Sequence, residues 1–315
     1  MRNRLFTIFG GTGFIGRYVV GRLAERGARL RVISRSPDTH GHHLQPLGRV
    51  DQIVVQSADL DSEAALRRAL AGAAGVVNLI GILYETGRQR FAEVQGALPG
   101  RIAAAARAEG AARMVQISAI GADAASASAY ARSKAEGERR VLEAFADATV
   151  VRPSIVIGPE DDFFNRFAAL ARLLPALPLI GGGHTRFQPV YVGDVAQAVV
   201  AALQREDARG QIYELGGPQT YTFAELMRYM LKVVGRRRLL LSVPFGLARV
   251  PARFLELLPE PPLTRDQVAL LKVDNVVSPG MPGLQALGIT PTPIELIVPQ
   301  YLARYRAAPA RMARL

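Results

Sequence analysis

Residues Leu5–Gly16 read Leu-Phe-Thr-Ile-Phe-Gly-Gly-Thr-Gly-Phe-Ile-Gly. An apolar strand runs straight into a turn with glycine at 10, 13 and 16, and a helical stretch, Arg17–Arg26, follows. In a strand-turn-helix phosphate cradle each glycine has its own task. The first permits the tight turn, the second lets a pyrophosphate approach the backbone, and the third lets the helix pack closely on the strand. The amino end of the helix, where N–H groups are free and the dipole is positive, then faces the phosphates. Candidate nucleotide contacts in this turn are Gly10, Thr12, Gly13, Phe14, Ile15 and Gly16.

Downstream, short apolar strands alternate with alanine-rich helical stretches. Strands are predicted at Leu30–Ile33, Gln52–Gln56, Gly75–Ile80, Arg113–Ser118 and Thr149–Arg152, and helices near Ser62–Ala71, Phe91–Glu109 and Tyr130–Phe145. Such repetition demands a parallel sheet covered on both faces. The expected fold is α/β: a Rossmann-type doubly wound parallel sheet with a smaller C-terminal α+β domain for substrate or partner. The nucleotide-binding domain is expected over 1–157 and the smaller one mainly over 158–315, with about 187–203 returning to the first. Ligands of such sheets sit outside the carboxyl ends of the strands. That rule adds Leu79, Ile80 and Gly81 after the fourth strand, and Ile117 at the end of the fifth, to the candidate cofactor contacts.

Choice between the two nicotinamide nucleotides is made at the end of the second strand, where an acidic side chain would accept from a ribose 2′-hydroxyl. This chain has Ser34, Arg35 and Ser36 there. With no carboxylate to repel it, a 2′-phosphate can pair with Arg35 and hydrogen-bond to the serines. NADP(H) is therefore favoured over NAD(H). Asp59 and Leu60 follow the third strand, where a carboxylate can accept from an adenine amino group; a plain turn residue is the competing reading of Asp59.

Ser118, Tyr130 and Lys134 form a second constellation. Tyrosine and lysine four residues apart share a helix face, so the ammonium can approach the phenol and lower its pKa. Tyr130 would then exchange a proton at a carbonyl or hydroxyl group, with Ser118, at a strand end, orienting the same oxygen.

Composition narrows the remaining possibilities. The chain has 315 residues, 49% of them hydrophobic, so it can bury a full core. No apolar run approaches the ~20 residues of a membrane-spanning helix. Arg2 and Arg4 precede the apolar stretch in the manner of a signal peptide, but cleavage there would destroy the glycine turn, so a cytoplasmic protein is expected. The absence of cysteine rules out disulfides and thiolate chemistry. His40, His42 and His43 cluster after the second strand without a carboxylate at ligand spacing, and no metal site is expected. A net charge of +12 points to an anionic partner: a nucleotide, a membrane surface or an acidic protein. Nucleic acid is disfavoured because the arginines are scattered and no basic stripe is interleaved with aromatics. Arg236–Arg238 are read as a solvated end to the helix Phe223–Val234.

Four features together resemble the short-chain dehydrogenase/reductase superfamily, in its extended, atypical branch. They are Gly10-x-x-Gly13-x-x-Gly16, Asp59-Leu60, Tyr130-x-x-x-Lys134 and the stretch Val151-Arg152-Pro153-Ser154-Ile155-Val156-Ile157-Gly158-Pro159. The resemblance implies that Pro153 and Ser154 lie beside the nicotinamide. More narrowly, Phe9–Val20, Gly158–Phe167, Gln188–Val195 and Leu284–Glu295 are similar to the subunit nine-like NAD(P)-binding family of respiratory complex I. That likeness implies a tightly held, structural NADPH and a membrane-bound respiratory or quinone-related complex as partner. The chain departs from active extended enzymes at Ala119 and Ile120, where an orienting serine or threonine usually stands, and at Gln95, where asparagine is frequent. Two functions stay open: a nucleotide-stabilised structural or assembly component, and an NADP-dependent oxidoreductase or epimerase working through Tyr130 and Lys134.

Toward the C-terminus, Asp194 reads as a helix N-cap with Gln197 at the third position, and Thr222 with Glu225 as a capping box. Leu239–Leu258 is apolar, broken by proline and dotted with arginine. It is expected to be core of the small domain; the competing reading lays it on an anionic membrane surface with Arg249 and Arg253 at lipid phosphates, placing the protein peripherally on the membrane's inner face.

Overall fold

The computed structural model describes residues 1–87, 89–256, 258–259 and 261–306, with residue 249 described by its backbone alone. The first half alternates β1 (Leu5–Phe9), α1 (Phe14–Glu25), β2 (Arg29–Ile33), α2 (Pro37–His40), β3 (Ile53–Gln56), α3 (Glu63–Leu70), β4 (Gly75–Asn78), α4 (Leu98–Ala108), β5 (Met114–Ile117), α5 (Ala129–Ala144) and β6 (Thr149–Pro153). Then come β7 (Val156–Ile157), α6 (Phe164–Leu173), β8 (Ala176–Ile180), β9 (Arg186–Phe187), β10 (Val190–Tyr191), α7 (Val192–Gln204) and β11 (Ile212–Leu215). The chain continues through β12 (Tyr221–Thr222), α8 (Phe223–Val233), β13 (Leu239–Val243), α9 (Phe245–Leu255), α10 (Arg265–Leu270) and α11 (Ile294–Leu302).

Seven of these strands make one parallel sheet in the order β11-β6-β5-β4-β1-β2-β3. Its direction of winding reverses between β1 and β4, so a crevice opens at their carboxyl ends. Side chains of β1 alternate between faces. Phe6 and Ile8 pack with Val19, Val20 and Leu23 of α1 and Val195, Val199 and Leu203 of α7. Phe9 packs on the opposite face with Leu66 and Leu70 of α3 and Ile102 of α4. Burial on both faces explains why the strands read as continuous apolar runs.

The later elements build a separate cluster in which Phe164, Phe187, Phe223, Met227 and Val298 join α6, α8 and α11. Three of the stretches quoted above are stapled here. Asp161, within Gly158–Phe167, accepts from the Gly158 and Asn165 amides at 3.1 and 3.2 Å and from the Tyr301 hydroxyl. Asp194 accepts from the Thr292 amide at 2.7 Å and its hydroxyl at 2.9 Å, joining Gln188–Val195 to Leu284–Glu295. Asp194 is thus not the N-cap of its helix. Tyr191 holds that position, and the carboxylate, at the third helical residue, is taken by a distant segment instead. The Thr222–Glu225 capping box is present as expected. Arg236 and Arg238 do more than end α8, since they donate to the Tyr305 and Ala171 carbonyls at 3.3 and 2.8 Å.

Among the described residues, the expectation of a buried core over Leu239–Leu258 holds only for Leu240, Val243, Phe245, Ala248 and Ala252, and fails for Leu239, Leu241, Leu247, Val250 and Phe254. β13 pairs only with β8 in a two-stranded ribbon, leaving Leu239 and Leu241 exposed. In α9 the small residues Ala248 and Ala252 face inward against Ile180 and Val268, and Leu247, Val250 and Phe254 face out at 60–67% exposure. Among the described residues no helix is long and apolar enough to cross a membrane.

Candidate functional site

The crevice begins where β1 delivers Gly10 at φ +74°, a left-handed conformation, against the Leu79–Ile80 peptide. A Cβ at 16 would overlap the Gly10 carbonyl and the Gly11 backbone, so glycine there lets α1 start directly on the strand. Gly13 is different. It is exposed, and a Cβ would meet only the Gly10 carbonyl oxygen, at 3.3 Å. Nothing else within the chain crowds that position. Helix α1 has no side-chain cap, and its first turn carries no acidic residue. Open backbone at 13 before an uncapped, unopposed helix dipole fits a phosphate group. Phe14 and Ile15, the first residues of α1, are half-buried; the Phe14 ring reaches toward Gly158.

At the end of β2, Ser34 is buried, with its Oγ 3.5 Å from Thr12 Oγ1 and accepting from the Ser36 amide at 3.4 Å. Arg35 and Ser36 are exposed. A carboxylate does occur nearby, Asp38 in the first turn of α2, beyond the strand end itself. Asp59 is exposed and its Oδ1 accepts from the Asp61 amide at 3.0 Å, the arrangement of a turn residue, while Leu60 packs on the sheet. His40 ends α2, and His42 and His43 begin the next turn; no group of three potential ligands able to hold a metal lies among the described residues.

The ends of β4 and β5 are shaped by a buried amide pair. Asn78 donates to Gln116 Oε1 at 2.8 Å and accepts from the Ile80 amide at 3.2 Å, and Gln116 donates to the Ile117 carbonyl at 2.8 Å. This sets the path of Leu79, Ile80 and Gly81, so that a Cβ on Gly81 would lie 3.3 Å from both Gln95 Oε1 and Lys134 Nζ. Gln95 sits in a π-helical turn, Ala92–Ala97, of the kind that often marks functional sites. It accepts from the Ile82 amide and donates to Ser133 Oγ, both at 3.2 Å, and Ser133 donates to the Tyr130 carbonyl at 2.8 Å. The glutamine in place of asparagine thus ties the loop after β4 to α5.

Ser118 follows β5, its amide donating to the Val151 carbonyl at 2.8 Å. Its hydroxyl is buried and has no partner among the described residues. A hydroxyl left so costs about 1–3 kcal/mol unless a ligand satisfies it. Tyr130 and Lys134 share one face of α5, with the ammonium 5.8 Å from the ring centre. Burial lowers the Lys134 pKa to about 8, partly countered by Glu138. The Tyr130 phenol is pushed up to about 12, by burial first and then by the charge of Asp266. This reverses the lowering expected from the lysine: desolvation and a carboxylate outweigh an ammonium that does not touch the hydroxyl.

Pro153 is buried at the end of β6, and the Ser154 hydroxyl is already engaged by Asn275, at 2.9 Å from its carbonyl and 2.7 Å from its Oδ1. Arg152 pairs with Glu138 at 2.6 Å and Glu214 at 3.3 Å, both carboxylates buried. An open cleft of about 440 Å³ adjoins Tyr130, lined by Tyr84, Phe91, Ala129, Arg265 and Asp266. Its cations are neutralised locally, Arg90 by Glu85 and Arg265 by Glu256. Another hollow, about 330 Å³, lies at the amino ends of the strands, around Arg4, Arg113 and Glu206, and is remote from all of these groups.

The crevice is matched by known sequences. The family described as "NAD dependent epimerase/dehydratase family" matches residues 6–216, from β1 through β11. The chain belongs to that family. It is 36% identical over 311 residues to NADH dehydrogenase [ubiquinone] 1 alpha subcomplex subunit 9, mitochondrial, of Arabidopsis thaliana, covering 95% of this chain and 77% of that protein. It is also 34% identical over 239 residues to a ceramide reductase of Caulobacter vibrioides, covering 75% of this chain and 73% of that one. Among solved structures, that of gox2253 superposes with a TM-score of 0.74 at 22% identity, covering 96% of this chain and 97% of the other, which shows the fold. Family membership shows a NAD(P)-binding fold and leaves the choice of nucleotide open.

Sequence reasoning gathered the glycine turn, Ser118, Tyr130 and Lys134 to one crevice. It missed Asp266 and Asn275, which come from 120 to 138 residues away along the chain. Only the alternation of buried and exposed positions, not any local motif, could have placed them near the sheet.

Proposed function

We propose that the protein is an NADP(H)-binding accessory or assembly component of a membrane-bound respiratory complex of the complex I type, with the nucleotide held as a structural element. The observation that carries this reading is the outward face of α9, where Leu247, Val250 and Phe254 stand exposed on one helix. Isolated exposed leucines are common, but a helix that turns its small residues inward and its large ones outward offers a surface to a partner or an anionic membrane. Likeness to the Arabidopsis subunit over nearly the whole chain supports the partner class. In this reading Gly10, Gly13 and the α1 terminus hold the pyrophosphate, Ser34, Arg35 and Ser36 the 2′-phosphate, and Lys134 the nicotinamide ribose. The sheet through about residue 157, with α7 and β11 returning to it, forms the nucleotide domain, and the later elements form the docking domain. Nucleotide released from denatured, exhaustively dialysed protein is the test: near-equimolar NADPH is expected, and an empty site or equimolar NAD would overturn it.

A second reading has a specific observation behind it. Ser118 Oγ is buried, just beyond the carboxyl end of β5, and has no hydrogen-bond partner among the described residues, which supports a role in holding a ligand oxygen. A bound nicotinamide nucleotide would supply hydride. With its phenol held protonated by burial, Tyr130 is set to donate a proton to a carbonyl oxygen, and Ser118 to orient that oxygen. The ceramide reductase relative supports this alternative. Tyr130→Phe decides between the two: retained nucleotide with loss of a measured turnover favours the enzyme, and unchanged support of complex assembly favours the structural role.

A further inference from the structure

Helix α5, which carries Tyr130 and Lys134, begins with its own cap: Ser128 Oγ accepts from the Ala131 amide at 3.2 Å. That leaves the amides of Ala129 and Tyr130 without partners in the helix. Both are taken by a residue from the far end of the chain. Asp266 Oδ1 accepts from the Ala129 amide at 2.7 Å, and Oδ2 accepts from the Tyr130 amide at 3.3 Å and the Ser128 hydroxyl at 2.7 Å. The carboxylate is half-buried and lines the cleft beside Tyr130. Asp266 is itself held in place, because Thr264 and Gln267 form a reciprocal capping box at the start of α10 and Val268 is fully buried against α9.

We infer that Asp266 is a positioning residue of the candidate site: from α10 its carboxylate fixes the first turn of α5 and with it the setting of Tyr130 and Lys134 in the crevice. The inference rests on the reading that these two side chains face the nucleotide. A carboxylate accepting three hydrogen bonds at a helix amino end combines charge-assisted bonding with a favourable dipole. Because the contact spans the C-terminal helical layer and the sheet half, the attitude of α5 depends on where α10 sits. Local capping by Ser128 alone would leave the first turn free to fray.

The test uses the full chain and three readouts. Amide hydrogen exchange over residues 129–133 reports the first turn, NADPH affinity reports the crevice, and NMR of ring-labelled tyrosine reports the Tyr130 phenol, which Asp266 and Lys134 both face. In Asp266→Ala, exchange over 129–133 is expected to quicken about tenfold, with α8 unaffected, and NADPH to bind about tenfold more weakly. Asp266→Asn keeps the shape and one acceptor oxygen, but it removes the charge and turns an NH2 donor toward a donor of α5. Exchange and NADPH affinity should fall between wild type and Asp266→Ala, changing about threefold, while the Tyr130 titration moves down from its wild-type position. Unchanged exchange over 129–133 in Asp266→Ala overturns the inference, as does faster exchange with unaltered NADPH affinity. Should the alanine variant not fold, the asparagine variant decides, and exchange over 129–133 equal to wild type overturns the inference. If the wild-type protein binds no NADPH, the functional reading fails while exchange and titration still judge Asp266.

Discussion

The crevice half and the α9–β13 layer treat their apolar residues in opposite ways. Around the sheet most large side chains, such as Phe9, Leu23, Leu70 and Ile102, are buried, with Val50, Val54 and Leu83 exposed singly at its edge and loops. In α9 and β13 the buried residues are Ala248 and Ala252, and Leu239, Leu247 and Phe254 are outside. The first arrangement is complete in one chain apart from a nucleotide. The second leaves large apolar side chains on a solvent-facing helix, the face on which the proposed docking rests. In the sheet half the Arg152–Glu138 pair is buried and bidentate, while the pairs on the outer helix faces, such as Arg139–Glu143, are exposed, as is Arg253 in α9.

The largest effect should come from breaking the closed half. Arg152→Ala leaves Glu138 and Glu214 buried and unpaired, and about 3–5 kcal/mol of stability should be lost, read by urea unfolding. Replacing the whole trio by apolar residues of similar size should recover much of it, which would show the loss to be one of uncompensated charge.

Next in size is a pH effect on the nucleotide-free protein. Lys134 has a folded pKa of about 8 against 10.5 unfolded, so between those values the unfolded state binds more protons. Stability should therefore rise with pH from ~8 to ~10.5, and below pH ~8 the full penalty is present. Wild type compared with Lys134→Met should show this as a difference of about 1–3 kcal/mol that shrinks toward pH 10.5. Tyr130, raised to about 12, acts in the other sense, adding stability that is lost above pH ~10. A pH-independent difference between the two proteins would mean that Lys134 is not desolvated as the structure has it.

Gly13→Ala separates ligand from fold. Since a Cβ there meets only the Gly10 carbonyl oxygen, the apo protein should melt within about 2 °C of wild type. NADPH affinity, measured by calorimetry, should fall at least ~10-fold, about 1.4 kcal/mol, because the added methyl occupies the pyrophosphate approach. Smallest for stability, and sharpest for the comparison, is the triple change Leu247→Ser, Val250→Ser and Phe254→Ser. Unfolding free energy should move by less than ~0.5 kcal/mol per site, as for surface positions, while co-purification with membranes or with a respiratory complex is lost. A large loss of stability would show that α9 is core after all.

Much of this was legible along the chain because it is local. A strand entering a glycine turn, a helix with tyrosine and lysine one turn apart, and a Thr222–Glu225 box each depend on residues within a few positions of one another, where backbone sterics and helix periodicity act directly. The parallel sheet followed from the alternation of these local units. What stayed hidden is long-range. Asp194 looked like a cap and became a clamp on Thr292, and Asp266, which no local motif marks, became the end-piece of α5. The tyrosine's expected acidity was reversed because burial, which no pair of residues encodes, outweighs a nearby ammonium.

Leu239–Leu258 marks the same boundary from the other side. Its hydropathy required only that it meet something apolar. Whether that partner is the chain's own core or a surface outside it depends on which face of α9 the rest of the fold covers, and the fold covers the alanines. Order along the chain sets turns, caps and helix faces because their energies are short-ranged. Burial, and every charge and contact that follows from it, is set by the packed whole, because solvent is excluded only when distant segments close together.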